Sequence, residues 1–326
     1  MNILTHLKNS GLTGNAVKVL INNGFNMEVL RTNAILRKDE WVDFDERAVQ
    51  LAQEKMTVAT DLIDMGLTYE LPGGLGDTVS EWETEGDRAG ANISMEMESN
   101  VDRDLINYES ASVPIPIISA DFKINMRTMA ATTYRGSRID LSNGSAAARK
   151  VGIKSENLVV RGWGNTAVGK GIYGLTNHPY RSLINFTTPF TVSTAARMIL
   201  DMIQEADDKG FYGPFTLYFP TGLSTILYEI MPDTNGKMLM EHLQQIDLIK
   251  DIKVTSALRP GEFTLLQTTD DVIDLAVAQP LITVEWDSPG GFETNFKVFT
   301  AFAPRLKYRQ DRTLGVVHAT FPLAPQ

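Results

Sequence analysis

Residues 68–124 place two strand-like ends around a polar, acidic middle, and this constrains the chain more than any other feature. Tyr69, Leu71, Val79 and Trp82 mark the first end. At the second, Val113, Ile115 and Ile117 alternate with Pro114 and Pro116. From Glu83 to Arg103 only Ile93, Met95 and Met97 form a short alternating run, and no helical period appears. A structureless loop of this length is uncommon inside a compact domain. The pattern predicts a long β-hairpin arm that leaves the body of the protein. A two-stranded ribbon is marginal alone in water, so it needs a surface, and the surface expected is another copy of the chain. The residues expected to meet that copy are Trp82, Ile93, Met95, Met97, Val113, Ile115 and Ile117.

Charge and residue usage narrow the function classes. Asp plus Glu total 40 against 30 Lys plus Arg, a net charge of −10. A protein that grips nucleic acid through phosphates needs a basic face, so direct DNA recognition is not expected. The absence of cysteine removes disulfides, thiolate catalysis and cysteine-bound zinc. The start, MNILTHLKNS, lacks the basic-then-apolar order of a signal peptide. No apolar run approaches the ~18 residues of a membrane span. The expectation is a soluble protein of the cytoplasm, with no membrane partner.

The rest of the chain reads as α+β. Residues 1–35 are polar and weakly patterned, an arm. A helix capped by Asp43, with Glu46 three residues on, carries Phe44, Ala48, Leu51, Ala59, Leu62 and Ile63 and stops at Gly66. After the hairpin, Ala147, Val151 and Leu158 share one face of a helix of about 20 residues, ended by Gly162 and Gly164. Gly152 inside it is unfavourable by about 1 kcal/mol relative to Ala. Ser193 is read as the cap of a helix with Ala196, Ile199, Leu200 and Ile203, closed by Gly210. Phe215 to Phe219 is a strand stopped by Pro220. Helices are expected over Leu223–Ile230 and Met238–Ile249. Strands follow at Ile252–Thr255, Phe263–Gln267, Val272–Ala278, Leu281–Trp286, Phe296–Phe302 and Leu314–Ala319.

No motif amounts to a catalytic constellation. Gly164 to Gly171 (GNTAVGKG) approaches a phosphate-binding P-loop. Gly171 replaces the hydroxyl residue that ligates magnesium, and the strand–loop–helix setting is missing. The overlapping G-x-G-x-x-G from Gly169 to Gly174 lacks the same setting. His6, His178, His242 and His318 have no metal-pair spacing. Asp270, Asp271 and Asp274 read as an acidic turn opening a strand. Glu81, Glu83 and Glu85 sit in a hairpin and not a cleft. No enzyme, cofactor or metal is expected; a P-loop enzyme is the reading Lys170 would support.

In order, the pieces resemble one family. A helix with Trp41 near its start ends in Asp64, Met65 and Gly66, then Tyr69 and the PGGLG turn from Pro72 to Gly76. The arm returns through Val113–Ile117 to a strand with Phe122 and Ile124. Arg135 and Gly136 precede the helix containing Ala147 to Val151 and Glu156, and Gly171 to Pro179 (GIYGLTNHP) follows. This run, residues 30 to 180, resembles the tailed-bacteriophage major capsid and encapsulin superfamily. The resemblance implies an α+β shell subunit: an N-terminal arm (1–35), a helix leading to the arm (36–66) and an extended loop (67–118). A peripheral domain (119–187 and 291–326) holds a spine helix at about 140–163, and an axial domain spans 188–290. It also implies a homo-oligomeric icosahedral assembly of pentamers and hexamers. Such a shell encloses double-stranded DNA without sequence-specific binding, with separate scaffolding, portal and decoration proteins as further partners. The implied location is the virion, assembled in the host cytoplasm. The alternative is an encapsulin-type nanocompartment around a cargo enzyme. The cargo-peptide pocket and the Lys–Asn cross-link of some members have no matching motif here.

Overall fold

The structure, a computed structural model, describes residues 38–85, 108–125, 142–165, 170–231, 236–287 and 293–322. The chain is already helical at Lys38. Helix α1 (Lys38–Gln53) breaks at Glu54–Met56, and α2 (Thr57–Asp64) follows. The single helix capped by Asp43 is therefore two, and Asp43 lies within the first. Gly66, at φ +76, closes α2. Leu67 N donates to Leu62 O and Gly66 N to Ile63 O, the paired bonds of a left-handed helix stop.

Strand β1 (Thr68–Glu70) leads through a 3-10 turn (Gly74–Gly76) into the hairpin β2 (Val79–Glu85) and β3 (Tyr108–Pro114). These two strands pair antiparallel, Val79 against Pro114 and Glu85 against Tyr108. Strand β4 (Ile117–Asn125) and the spine helix α3 (Ser142–Arg161) come next. The ribbon β5 (Trp163–Asn165) and β6 (Lys170–Ile172) follows, then β7 (Ser182–Asn185) and α4 (Val192–Asp208). The sequence-predicted cap Ser193 is replaced by Thr191, whose side chain pairs with Thr194. The buried face of α4 runs through Ala195, Met198, Ile199, Met202, Ile203 and Ala206, leaving Leu200 exposed.

Strand β8 (Phe215–Pro220) is buried at every position. Only single turns, α5 (Ser224–Leu227) and α6 (Leu239–Leu243), form where two longer helices are predicted. The end of that region is strand, β9 (Ile249–Thr255), and then β10 (Glu262–Gln267). The predicted strands on either side of Pro280 are one, β11 (Ile273–Asp287). Its register slips between Val277 and Ile282, where Pro280 has no N–H for the ladder. Strands β12 (Glu293–Leu306) and β13 (Val316–Thr320) end the described chain.

Two mixed sheets result. One is ordered β1-β11-β12-β4, the other β7-β13-β10-β8-β9. Helices α1 and α3 pack on the first through Ala48, Ala147, Ala148 and Val151 against Val298. Gly152 explains itself here: a Cβ would stand 2.4 Å from Ala52 O, so the close approach of α3 to α1 requires its absence. The second sheet holds an aromatic cluster of Phe186, Phe190, Phe219, Phe263 and Phe321, with centroids 5.4–6.5 Å apart. Residues 316–320 pair with 262–266, while 273–287 pair with 293–306, which in turn pair with 117–125.

Candidate assembly surface

The root of the hairpin is fixed to the four-stranded sheet by a buried ion pair. The register of β11 and β12 sets Asp274 opposite Arg305. The Arg305 guanidinium donates to both Asp274 oxygens, one at 2.6 Å, and to Ser80 Oγ of β2 at 3.3 Å. Its plane lies 4.1 Å from the Tyr69 ring centroid. Lys307 adds contacts of 2.9 Å to Asp274 and 3.2 Å to Asp270. The acidic turn is thus neutralised by the protein's own cations, and no cluster able to hold a metal occurs among the described residues. Around it, Ile115 N donates to Thr78 O, and Leu71, Leu75 and Ile115 pack on Ala276, Ala278 and Ala301. Asp77 accepts from Gly73 N at 2.7 Å and shapes the PGGLG turn.

The hairpin's alternation sorts its residues into two faces. Ser80, Thr84, Ala111 and Val113 are buried, and Trp82 is half-buried against the main core. Val79, Glu81, Glu83, Ser110 and Ser112 face away and are exposed. This corrects one expectation: Val113 is covered by its own chain, because its partner Ser80 is tied down by Arg305. Ile115 is half-buried at the root. Ile117, on the edge strand β4, is 64% exposed. Ile93, Met95 and Met97 lie outside the described residues. Exposed residues not singled out from sequence include Trp163, Tyr228 and Ile230. Their apolar character was visible, but not which face each would take.

A second buried node joins the spine helix to the rest. Glu156 of α3 accepts from Val58 N at 3.0 Å and Ala59 N at 3.3 Å, and from the Thr255 hydroxyl at 2.6 Å. It therefore caps α2, whose own cap position, Met56, offers no side-chain bond. Burial pushes the Glu156 carboxyl above its ordinary value, while Thr255 and the α2 N–H groups pull it down. Beside it Tyr218 donates to Asp61 at 2.6 Å, and Lys253 meets Asp61 at 2.9 Å. His178 accepts from Tyr180 N and sits among Tyr173, Tyr180 and Tyr308. Burial, then the Arg181 charge, lowers its pKa to about 4. These groups lock elements together. Of the P-loop-like segment, Gly164 and Asn165 pair with Gly171 and Lys170 in the β5–β6 ribbon, so Lys170 lies in a strand and not a helix; residues 166–169 lie outside the described residues. No helix among the described residues is long and apolar enough to cross a membrane.

Comparison with known proteins places this architecture. A family model described as a family of unknown function (DUF6260) matches residues 31–314. No curated protein matches the sequence. Among solved structures, a virus-like particle from Pyrococcus furiosus superposes with a TM-score of 0.59 at 18% identity, covering 86% of this chain and 98% of that one. The capsid of Myoviridae phage XM1 gives 0.58 at 15% identity, over 82% and 93%. The capsid of a native GTA particle gives 0.57 at 9% identity, over 90% and 93%. The α+β fold is one shared with these particle and capsid subunits.

Proposed function

The chain belongs to the family of unknown function DUF6260, and from that premise we propose that it is the major capsid protein of a tailed bacteriophage. Copies assemble as pentamers and hexamers into an icosahedral shell around double-stranded DNA. The observation that carries this reading is the hairpin. Among the described residues its inner face closes on the body and is tied there by Arg305 at Ser80, while its far face is turned away, in a fold shared with capsid subunits. A monomer gains nothing from such an arm, whereas a shell uses it to lap over a neighbour. The subunit is a structural protein and not an enzyme. The division into N-terminal arm, extended loop, peripheral and axial parts follows the same reading. So do assembly in the host cytoplasm and separate scaffolding, portal and decoration partners.

The second reading is a cellular nanocompartment enclosing a cargo enzyme; the likeness to the Pyrococcus furiosus virus-like particle fits either. Fold alone does not separate the two; contents do. Negative-stain microscopy of the purified chain is expected to show closed shells, and particles from the native source are expected to hold nuclease-protected double-stranded DNA. Particles filled with a protein cargo and free of DNA select the nanocompartment. A chain that stays monomeric at high concentration overturns both.

A further inference from the structure

Arg181, on the loop that leads into β7, is held by two histidines. Its Nη1 donates to the backbone carbonyl of His178 at 2.7 Å, and its Nε donates to Nδ1 of His318 at 3.3 Å. An Nδ1 that accepts carries no proton, so the ring proton of His318 sits on Nε2 and the ring is neutral. Nε2 faces the Glu262 carboxylate at 3.4 Å, a contact short of a full hydrogen bond, and it has no other partner among the described residues. The other Glu262 oxygen accepts from Arg259 N at 2.6 Å. Burial acts to raise the Glu262 carboxyl, but His318, the Arg259 N–H and the Arg161 charge at the end of α3 outweigh it, and it stays below its ordinary value. His318 and Glu262 are both buried, and both stand in interior strands, β13 and β10. The imidazole lies between a cation and an anion because β13 pairs with β10 on one side and with β7 on the other. Lys209, just past α4, donates to Ser182 Oγ beside Arg181 at 2.7 Å and pairs with Glu205.

We propose that His318 is an acid-operated latch: when its Nδ1 takes up a proton from solvent, Arg181 is expelled and the edge strand β7 comes loose from β13. The cause is a conflict of donors. In the protonated ring both nitrogens donate, so Nδ1–H meets the Arg181 Nε–H, and a second positive charge arises 3.3 Å from the first. On the other side the charged ring turns its long contact with Glu262 into a charge-assisted hydrogen bond. Arg181 is the group free to leave. It is half-buried on a loop, whereas His318 and Glu262 are fixed in interior strands. Its departure strips the His178 carbonyl of one of its two donors, the other being Arg181 N at 3.3 Å, and so weakens the turn before β7. That strand has only four residues, lies at the sheet edge and leaves Leu183 and Asn185 exposed. Histidine changes charge between about pH 5 and 8, so the latch answers to mild acid. His178, in the same turn, stays neutral down to about 4 and is not the trigger. The latch is built into the subunit and does not depend on the shell reading.

The test is hydrogen–deuterium exchange of the full chain at about pH 7.5 and about pH 5, corrected for the intrinsic pH dependence of exchange. Amides of residues 181–186 are expected to exchange at least about tenfold faster at the lower pH, the factor one coupled proton contributes per pH unit. Those of 262–267, in β10, are expected to keep their protection. His318→Gln keeps an acceptor for Arg181 and a donor for Glu262 but takes up no proton, and is expected to hold residues 181–186 closed at both pH values. Arg181→Gln removes the bolt and is expected to leave them open at both. Equal corrected exchange of wild type at the two pH values overturns the proposal without any variant. So does loosening that persists in His318→Gln, or that sets in only near pH 4, where His178 takes its own proton. Equal loosening of 262–267 marks general acid unfolding and overturns it as well.

Discussion

The five-stranded sheet and the β2–β3 hairpin use the same kind of element and are held in different ways. In the sheet, β8 and β10 are buried at every residue, and five phenylalanines stack across neighbouring segments. Nothing outside the chain is needed to finish it. In the hairpin, burial alternates: one face closes on the body, the other is exposed and acidic. On the function proposed above, the sheet is completed by folding and the hairpin by a neighbouring copy. Stability and assembly should therefore be separable by mutation, the first lost from the sheet and the second from the arm.

The largest loss of stability is expected at the centre of the sheet. Phe263 is fully buried and touches Phe186, Phe190, Phe219 and Phe321. Phe263→Ala should cost about 3–5 kcal/mol, read as a lower denaturant midpoint. A loss under about 1 kcal/mol would mean the cluster is not the core it resembles. Next is the joint between the regions. Arg305→Ala leaves the buried Asp274 with Lys307 alone and frees Ser80. Breaking a buried pair by removing one partner costs about 3 kcal/mol. The same variant should also loosen the hairpin root, detected as faster amide exchange in residues 79–84 than in 262–267.

Acid probes the body side of the comparison. His178 has its pKa lowered from 6.5 to about 4. An unfolded chain therefore takes up this proton first, and stability is full above pH 6.5 and lost as pH falls through 4. The loss amounts to at most about 3 kcal/mol. His178→Gln should flatten that slope in denaturant midpoints measured from pH 7 to 4. Glu156 titrates in the other sense. Its carboxyl is raised by burial, so its contribution is full below the ordinary value of 4.5 and declines as pH rises through the folded value. Glu156→Ala should cost about 2 kcal/mol through the lost cap and hydrogen bonds. Glu156→Gln should gain on wild type as pH rises above 4.5; a difference that stays flat would show that Glu156 keeps its ordinary titration.

The same contrast explains what the sequence could disclose. Period alone located β8, the hairpin strands and the spine helix, because each has a local signature: an apolar run stopped by Pro220, alternation, or apolar spacing ended by Gly162. The break between α1 and α2 has no local signature, because its cap is Glu156, about a hundred residues downstream. The two helices expected between 223 and 249 shrink to single turns around Gly236, at φ +84, and an Ile230–Met238 bridge. Alternation also cannot say which face of a strand is covered. Val113 was read as open and is closed, since that depends on the register placing Arg305 opposite Asp274 and beneath Ser80.

The smallest expected change in stability is paired with a large one in assembly, and it tests the comparison most directly. Ile117 opens β4, an edge strand, and stays 64% exposed beside the hairpin root. A surface substitution away from buried features usually shifts stability by no more than about 0.5 kcal/mol. Ile117→Asp should accordingly leave the denaturant midpoint close to wild type. If the hairpin root is where a neighbour seats, a carboxylate there is desolvated without a cation to meet it. Closed shells should then fall to a small fraction of wild type at equal concentration, counted in micrographs. Val113→Asp, at the penultimate residue of β3, should do the reverse, destabilising the body because that side chain is buried. Wild-type shell yield from Ile117→Asp would place the subunit contact elsewhere on the surface and leave the hairpin root as a structural hinge only.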